Sequence, residues 1–584
     1  MTVWSRVRGV LGIILLAGCA ATPLPPEYTA RRVAEIERAM AARAYYDFLS
    51  ARYAAQTNDP KRAALAYQSA AMDNPANTDL LDRAVYNSLV AGNTRAAIGV
   101  CRSADPEIIA QSGLPRLTIG LSEIARGSRT ENAGAWLDFK SHSPFIDMVG
   151  QGARAWTQYK SNGLGAAEAA LTDRESQDPL ISGLSLVTLA MIQLHDGSED
   201  EALATLEHVW MTGVRLAVGV EHQARLLHDR GRTDEAIEIL THFSRRVGQN
   251  AAIESLRKDL MNERPVALER PSFKEGVALA VYVPAAALAS HASGDVASAY
   301  FALALHLDPS LHVARTLWGD VLEKSDRLDD ALNMLMAVPE ESVFYATARS
   351  QIAWILRRQD QPEIALETAK TALEAAPDRV LKVQIADLFR SLEKYDRAET
   401  IFSDVIDADM ADGFQDWRLY YARGAVRDKL DQWEAAEADL LVALDLAPEA
   451  PSLLNYLGYS WIDRGTNLED GFMLIRRAAD LRPNAGFIVD SLGWAYFRLG
   501  QYDEAVEHLE RAVELSPGEP VLNDHLGDAY WRVGRTREAA FQWARALRLS
   551  PESASADLLN AKIETGLDNA ISQVASNLVL SDAH

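Results

Sequence analysis

Two cysteines and twelve histidines are the residues best suited to covalent or metal chemistry in this 584-residue chain. The histidines are scattered. His222 and His228 are six apart, as are His306 and His312, so on a helix the members of each pair face different ways. A zinc pair needs both rings on one face, so no metal is expected. Carboxylate pairs such as Asp329-Asp330 and Glu504 with Glu507 fall on turns and outer helix faces, where solvated charge is the ordinary reading. The chain holds no glycine-rich phosphate loop ending in Lys-Ser/Thr, no Gly-x-Ser-x-Gly elbow and no His-Glu-x-x-His helix. No cofactor is expected, and an enzyme with a cryptic active site is the least favoured class. Cys101 follows Ala96, Ala97 and Val100 in an apolar-periodic run and reads as a small buried hydrophobe rather than a nucleophile.

Cys19 stands in a different setting. Arg6 and Arg8 precede a short apolar run from Val10 to Leu16, too short to span a bilayer but suited to a secretory leader. Leu16-Ala17-Gly18-Cys19 then resembles the lipobox of bacterial lipoproteins, which implies lipidation of Cys19 and loss of residues 1–18. The expected organisation therefore begins with a signal peptide (1–18) and a lipidated tether (19–28) containing the proline-rich stretch Thr22 to Pro26. Ala20 is not the aspartate that often retains such proteins in the inner membrane, which favours the outer membrane facing the periplasm. No later stretch holds 18 consecutive apolar residues.

The elements that would position any functional surface are helical. Pro448, Pro483, Pro517 and Pro551 recur at intervals of about 34 residues, and between them one pattern repeats. Val489, Leu492-Gly493, Tyr496, Ala505, Leu509 and Ala512 are followed by Asn523, Leu526-Gly527, Tyr530, Ala539, Trp543 and Ala546. The period before them carries Leu454, Leu457-Gly458, Trp461, Gly471, Ile475 and Ala478. This resembles the tetratricopeptide repeat, a helix–turn–helix unit of about 34 residues. The resemblance implies an all-α, right-handed superhelical solenoid of about 11–14 units. Weaker copies extend upstream to Ala63, Tyr67, Ala70 and Pro75, with degenerate pairs around 105–185. An N-terminal helical array (29–261), a linker or kink (262–273), a C-terminal array (274–560) and a capping helix with tail (561–584) complete the expected layout. Residues 407–416 are acidic and suggest a longer loop.

Charge narrows the partners. Lys and Arg total 58 against 82 Asp and Glu, a net charge of −24, which repels phosphate backbones and makes nucleic-acid binding improbable. In arrays of this kind the first helix of each pair lines an inner groove. The repeat phase then puts Asn455, Tyr459, Asp490, Trp494, Phe497, Asp524, Asp528 and Trp531 in that groove. Aromatic rings beside acids suit an extended peptide or a protein surface. The competing reading is that Trp494 and Trp531 merely pack between adjacent first helices; both stay open.

The stretch from Asn455-Tyr456-Leu457-Gly458-Tyr459-Ser460-Trp461 through Asp490-Ser491-Leu492-Gly493-Trp494 to Asp524-His525-Leu526-Gly527-Asp528-Ala529-Tyr530-Trp531 is similar to large tetratricopeptide lipoproteins of proteobacteria. Among these is the outer-membrane adaptor that activates a periplasmic C-terminal processing protease and brings it substrates such as peptidoglycan hydrolases. The resemblance implies a non-catalytic adaptor with protein partners, held at the membrane through Cys19. A scaffold in outer-membrane or exopolysaccharide assembly and export is the alternative.

Overall fold

The computed structural model describes Glu35, Arg43 and residues 45–141, 143–172, 178–248, 250–289, 294–411, 413–551 and 556–572. The leader, Cys19 and the tether lie outside the described residues, as do Val574 and the tail expected after it. All regular structure among the described residues is helical. No helix among them is long and apolar enough to cross a membrane. The chain forms two compact units, Met1–Gln359 and Asp360–His584.

Local sequence explains where the helices start and stop. Asp59, Asn77, Asn93, Asp378 and Asp416 each accept a backbone N–H of the helix that follows, satisfying a donor that has no partner within the helix. Pro451 and Pro520 occupy the first turn, where a missing N–H costs nothing. In the second unit the turns between paired helices pass through left-handed residues: Glu393, Asp431, Gly465 followed by Asn467, Gly500 and Gly534. Glycine is the natural occupant, and Asp431 is among the few residue types that tolerate the same conformation.

The second unit follows the repeat pattern. Helices Trp417–Lys429 and Trp433–Leu446 form one pair, and Pro451–Arg464 with Leu468–Leu481 form the next. Gly486–Arg498 with Tyr502–Leu515, then Pro520–Arg532 with Thr536–Leu549, continue the stack. Their crossings are as close as the recurring spacing of small residues requires. A Cβ on Gly493 would lie 2.6 Å from Leu509 Cγ, and one on Gly527 would lie 2.5 Å from Trp543 Cδ1. Ala505, Leu509, Ala512, Ala539 and Ala546 are fully buried in the same seams.

Two local expectations change. The acidic stretch 407–416 is a loop only in its second half, because helix Tyr395–Ala411 covers residues 407–411. Asp409 is held there by a two-pronged Arg379 pair, with Nε–Oδ1 at 2.7 Å and Nη2–Oδ2 at 2.6 Å, which offsets its burial. The capping helix starts earlier than expected, spanning Ala556–Thr565, and breaks at the left-handed Gly566 before a helical stretch at 567–572.

The first unit departs from a purely sequential stack. Helices Phe273–Ala289 and Gly294–Leu307 pack on Pro144–Asn162 and Pro179–Asp196, and also on Thr78–Val90 and Gly113–Ala125. Thr94 Oγ1 donates to Ala302 O (3.4 Å) and Arg327 Nη1 donates to Val90 O (3.1 Å), joining residues more than 200 positions apart. The cause is composition. Gly276 to Ala285 and Ala297 to Ala304 are apolar nearly all round, and a helix without a polar face must be covered on every side. The stretch expected to act as a linker, 262–273, is non-helical up to Ser272 and is pinned within this unit. Arg225 donates to Ala267 O (3.0 Å) and pairs with Glu269 (2.9 Å); His195 Nδ1 meets Pro271 O (2.8 Å), and Arg270 pairs with Glu199. The two compact units divide between Gln359 and Asp360.

Candidate functional site

The eight groove positions named from the repeat phase all lie on first helices of consecutive pairs in the second unit. Asn455 and Tyr459 are on Pro451–Arg464; Asp490, Trp494 and Phe497 on Gly486–Arg498; Asp524, Asp528 and Trp531 on Pro520–Arg532. Spacings of three and four residues put each group on one face of its helix. What the face does varies along the stack.

At its centre Asp490 accepts from His525 Nδ1 at 2.9 Å, and both side chains are buried. Burial pushes the imidazole down, but the adjoining Asp490 carboxylate outweighs it and the net shift is upward. Trp494 stacks on His525 with centroids 4.1 Å apart and on Phe497 at 4.8 Å, both nearly coplanar. When His525 is protonated, the Trp494 ring face against it adds cation–π attraction to the stacking. Trp494 and Phe497 are thus seated within the repeat stack, each only partly exposed.

Toward the end of the array the face is closed by the chain itself. Lys562, on helix Ala556–Thr565 and only 3% exposed, reaches Asp524 Oδ1 (2.7 Å) and Asp528 Oδ1 (2.9 Å). Trp543 Nε1 donates to Asp528 Oδ1 at 2.9 Å. Burial and the neighbouring Asp524 push the Asp528 carboxyl up to about 6. Burial alone would lower Lys562, but two carboxylates around one ammonium raise it. Trp531 lies against Gly566, where any Cβ would strike its ring, and its Nε1 donates to Asp568 Oδ2 (3.2 Å). Three of the eight positions, Asp524, Asp528 and Trp531, therefore face the capping segment.

The opposite stretch of the face is more open in chemistry. Asn455 Oδ1 and Trp494 Nε1 are buried without a hydrogen-bond partner among the described residues. Tyr459 is half-buried, its hydroxyl pushed up to about 12 by burial and by Asp463 and Asp490. One repeat upstream, Tyr421 stands in the register of Asn455, Asp490 and Asp524, with its ring 5.6 Å from Tyr456 and 6.4 Å from Trp417.

Sequence reasoning missed four contributors. Phe487 (56% exposed) and Val521 (57% exposed) sit one turn before Asp490 and Asp524 on the same faces. Their 34-residue separation was the available signal. Tyr421 could have been found by extending the register one repeat upstream. Lys562 had no signal in its own segment, because lysine is the residue type least expected at a buried position.

Among the described residues no group of three or more His, Cys, Asp or Glu is placed to hold a metal. Cys101 is fully buried, and burial pushes its thiol up to about 12, so little thiolate is present near neutral pH.

Comparison with known proteins finds two family matches, both in the second unit. Residues 490–519 and 525–565 match two profiles described as tetratricopeptide repeat. A TPR repeat-containing protein of Pseudomonas aeruginosa is 27% identical over 191 residues, 32% of this chain; the match spans about a quarter (26%) of that protein's length. Solved structures with similar helical stacking include the APC/C hetero-tetramer Cut9–Hcn1, at 15% identity and a TM-score of 0.40, covering 90% of this chain and 96% of that one. A tetratricopeptide repeat protein from Parabacteroides merdae gives 16% identity and a TM-score of 0.36, covering 44% and 98%. The helix pairs at 490–519 and 525–565 are tetratricopeptide repeats, and such repeats are protein–protein interaction scaffolds.

Proposed function

We propose that this chain is a non-catalytic adaptor of the bacterial envelope, anchored in the outer membrane through Cys19 and facing the periplasm. Its partner is a periplasmic protease of the C-terminal processing type, or a cell-wall enzyme, together with substrates brought to it. The observation that carries the binding role is the unclosed part of the first-helix face. There Phe487 and Val521 project as exposed apolar anchors one turn from Asp490 and Asp524, beside the half-buried Tyr421, Asn455 and Tyr459. Exposed apolar side chains repeated in register on rigid helices suit a protein segment laid along the stack, because preorganised anchors lose little entropy on binding. The envelope placement rests on the Leu16–Cys19 pattern and on the resemblance of residues 455–531 to the lipoprotein adaptors.

The test is capture from crosslinked envelopes with the wild-type chain and with Phe487→Ser/Val521→Ser. Both side chains are exposed, so the double variant should melt with wild type. The expected result is recovery of a processing protease or wall hydrolase by wild type and its loss from the variant. Equal capture by both proteins would move binding away from this face. Recovery of barrel-assembly or polymer-export subunits instead would replace the adaptor reading with the assembly-scaffold one.

A further inference from the structure

Helix 45–56, the first continuous helix among the described residues, has two unlike sides. Its inner side is Phe48, Ala51 and Ala54, packed with Tyr67, Ala63, Ala70 and Ala84. The outer side carries Tyr45, Leu49 and Tyr53 at successive four-residue steps, with Tyr46 alongside. These are exposed side chains, Tyr45 at 65% and Tyr53 at 63%, and none of them packs against the cluster beneath. Arg43 and Arg52 flank the stripe and are exposed as well.

We infer that this face is a peripheral membrane contact, seated in the headgroup layer of an anionic bilayer. Three observations select that occupant. Tyrosine has an apolar ring and a polar hydroxyl, and such side chains concentrate at the membrane–water interface. Local charge has the opposite sign to the whole: residues 30–53 hold five arginines against three acids in a chain whose net charge is −24. An aromatic helix face in a basic stretch of an otherwise acidic chain is attracted to anionic headgroups while the rest of the surface is repelled, which orients the molecule. Finally, Tyr45 lies 26 positions after Cys19, the expected anchor, so the face is on the part of the chain nearest the bilayer. This last point rests on the envelope reading; the other two stand without it.

The test separates the face from the lipid. The chain from residue 20 onward keeps every described residue and lacks both the leader and Cys19. Its partition onto phosphatidylcholine vesicles with and without phosphatidylglycerol is compared with that of Tyr45→Ser/Leu49→Ser/Tyr53→Ser and of Arg43→Gln/Arg52→Gln. Wild type should sediment with the anionic vesicles, less so as salt rises. The triple variant should lose at least tenfold in partition coefficient, about 1.4 kcal/mol. The arginine variant should lose the preference for phosphatidylglycerol. Melting curves of all three proteins should coincide, since every altered side chain is exposed. Failure of wild type to bind either vesicle, or equal binding by wild type and the triple variant, overturns the proposal. So does a triple variant that binds vesicles normally but loses a protein partner, which would give the face to a protein. Absence of fatty-acid labelling of the full chain at Cys19, with vesicle binding by the chain from residue 20 intact, would instead count against the anchor alone.

Discussion

Replacing Lys562 with Met should loosen the end of the second unit in a pH-dependent way. The ammonium lies 2.7 Å from Asp524 and 2.9 Å from Asp528, and Lys562 and Asp528 are both buried. Met keeps the bulk and removes the charge, leaving two carboxylates facing each other. Breaking a buried pair from one side commonly costs about 3–5 kcal/mol. Asp528 has an escape that lowers this figure, because its carboxyl is already pushed up to about 6. Lys562 itself holds that carboxyl down, so without it the proton is taken up more readily, and at pH 7.5 this costs at most about 2 kcal/mol, at 1.36 kcal/mol per unit. The variant should therefore lose about 2–3 kcal/mol at pH 7.5. At pH 5 Asp528 is largely protonated, and the loss should fall to about 1 kcal/mol. The sign follows from the upward shift: Asp528 favours the folded state below its unfolded pKa, and that contribution disappears as pH rises through about 6. Amide hydrogen exchange of Ala556–Thr565 and Pro520–Arg532, with chemical denaturation at both pH values, reads the effect. Adding Asp528→Asn should restore most of the loss at pH 7.5, since Asn still accepts from Trp543. Equal losses at pH 5 and 7.5, or exchange unchanged from wild type, would refute the reasoning.

Gly493→Leu should cost about 3 kcal/mol or more, because even a Cβ there lies 2.6 Å from Leu509 Cγ; a wild-type melting temperature would contradict this close crossing. His525 is raised by Asp490, so its contribution should be complete below about 6.5 and vanish as pH climbs through its higher folded value. His525→Phe should flatten that part of the stability–pH curve and keep the stack with Trp494. Cys19→Ala should block maturation and abolish metabolic fatty-acid labelling; equal labelling of both proteins would remove the anchor reading.

How much of this was legible beforehand depends on how local the cause is. The second unit was readable because each repeat states its own packing. Gly493 and Gly527 mark close crossings, and Ala505 and Ala539 mark the facing helix. Every one of these signals acts within about one 34-residue period, the distance over which a repeat interacts with its neighbours. The same logic placed Asn455, Asp490 and Asp524 on one face of successive first helices.

Sequence alone did not reveal what covers that face. Lys562 is 34 residues after Asp528, in a segment whose apolar pattern suggested only a capping helix, and charge complementarity becomes visible once the helix is docked. The rings of Trp494 and Trp531 look alike in sequence. Only packing seats one between Phe497 and His525 and puts the other beneath Gly566. The first unit shows the same limit at larger scale. Residues 273–307 announce helices too apolar to face water, but not which helices cover them. That choice, Thr78–Val90 and Gly113–Ala125 on one side and Pro144–Asn162 and Pro179–Asp196 on another, is made by long-range packing. Burial of apolar area is non-directional, so a sequence can demand a cover without naming it, and shape complementarity in the folded chain selects the one that fits.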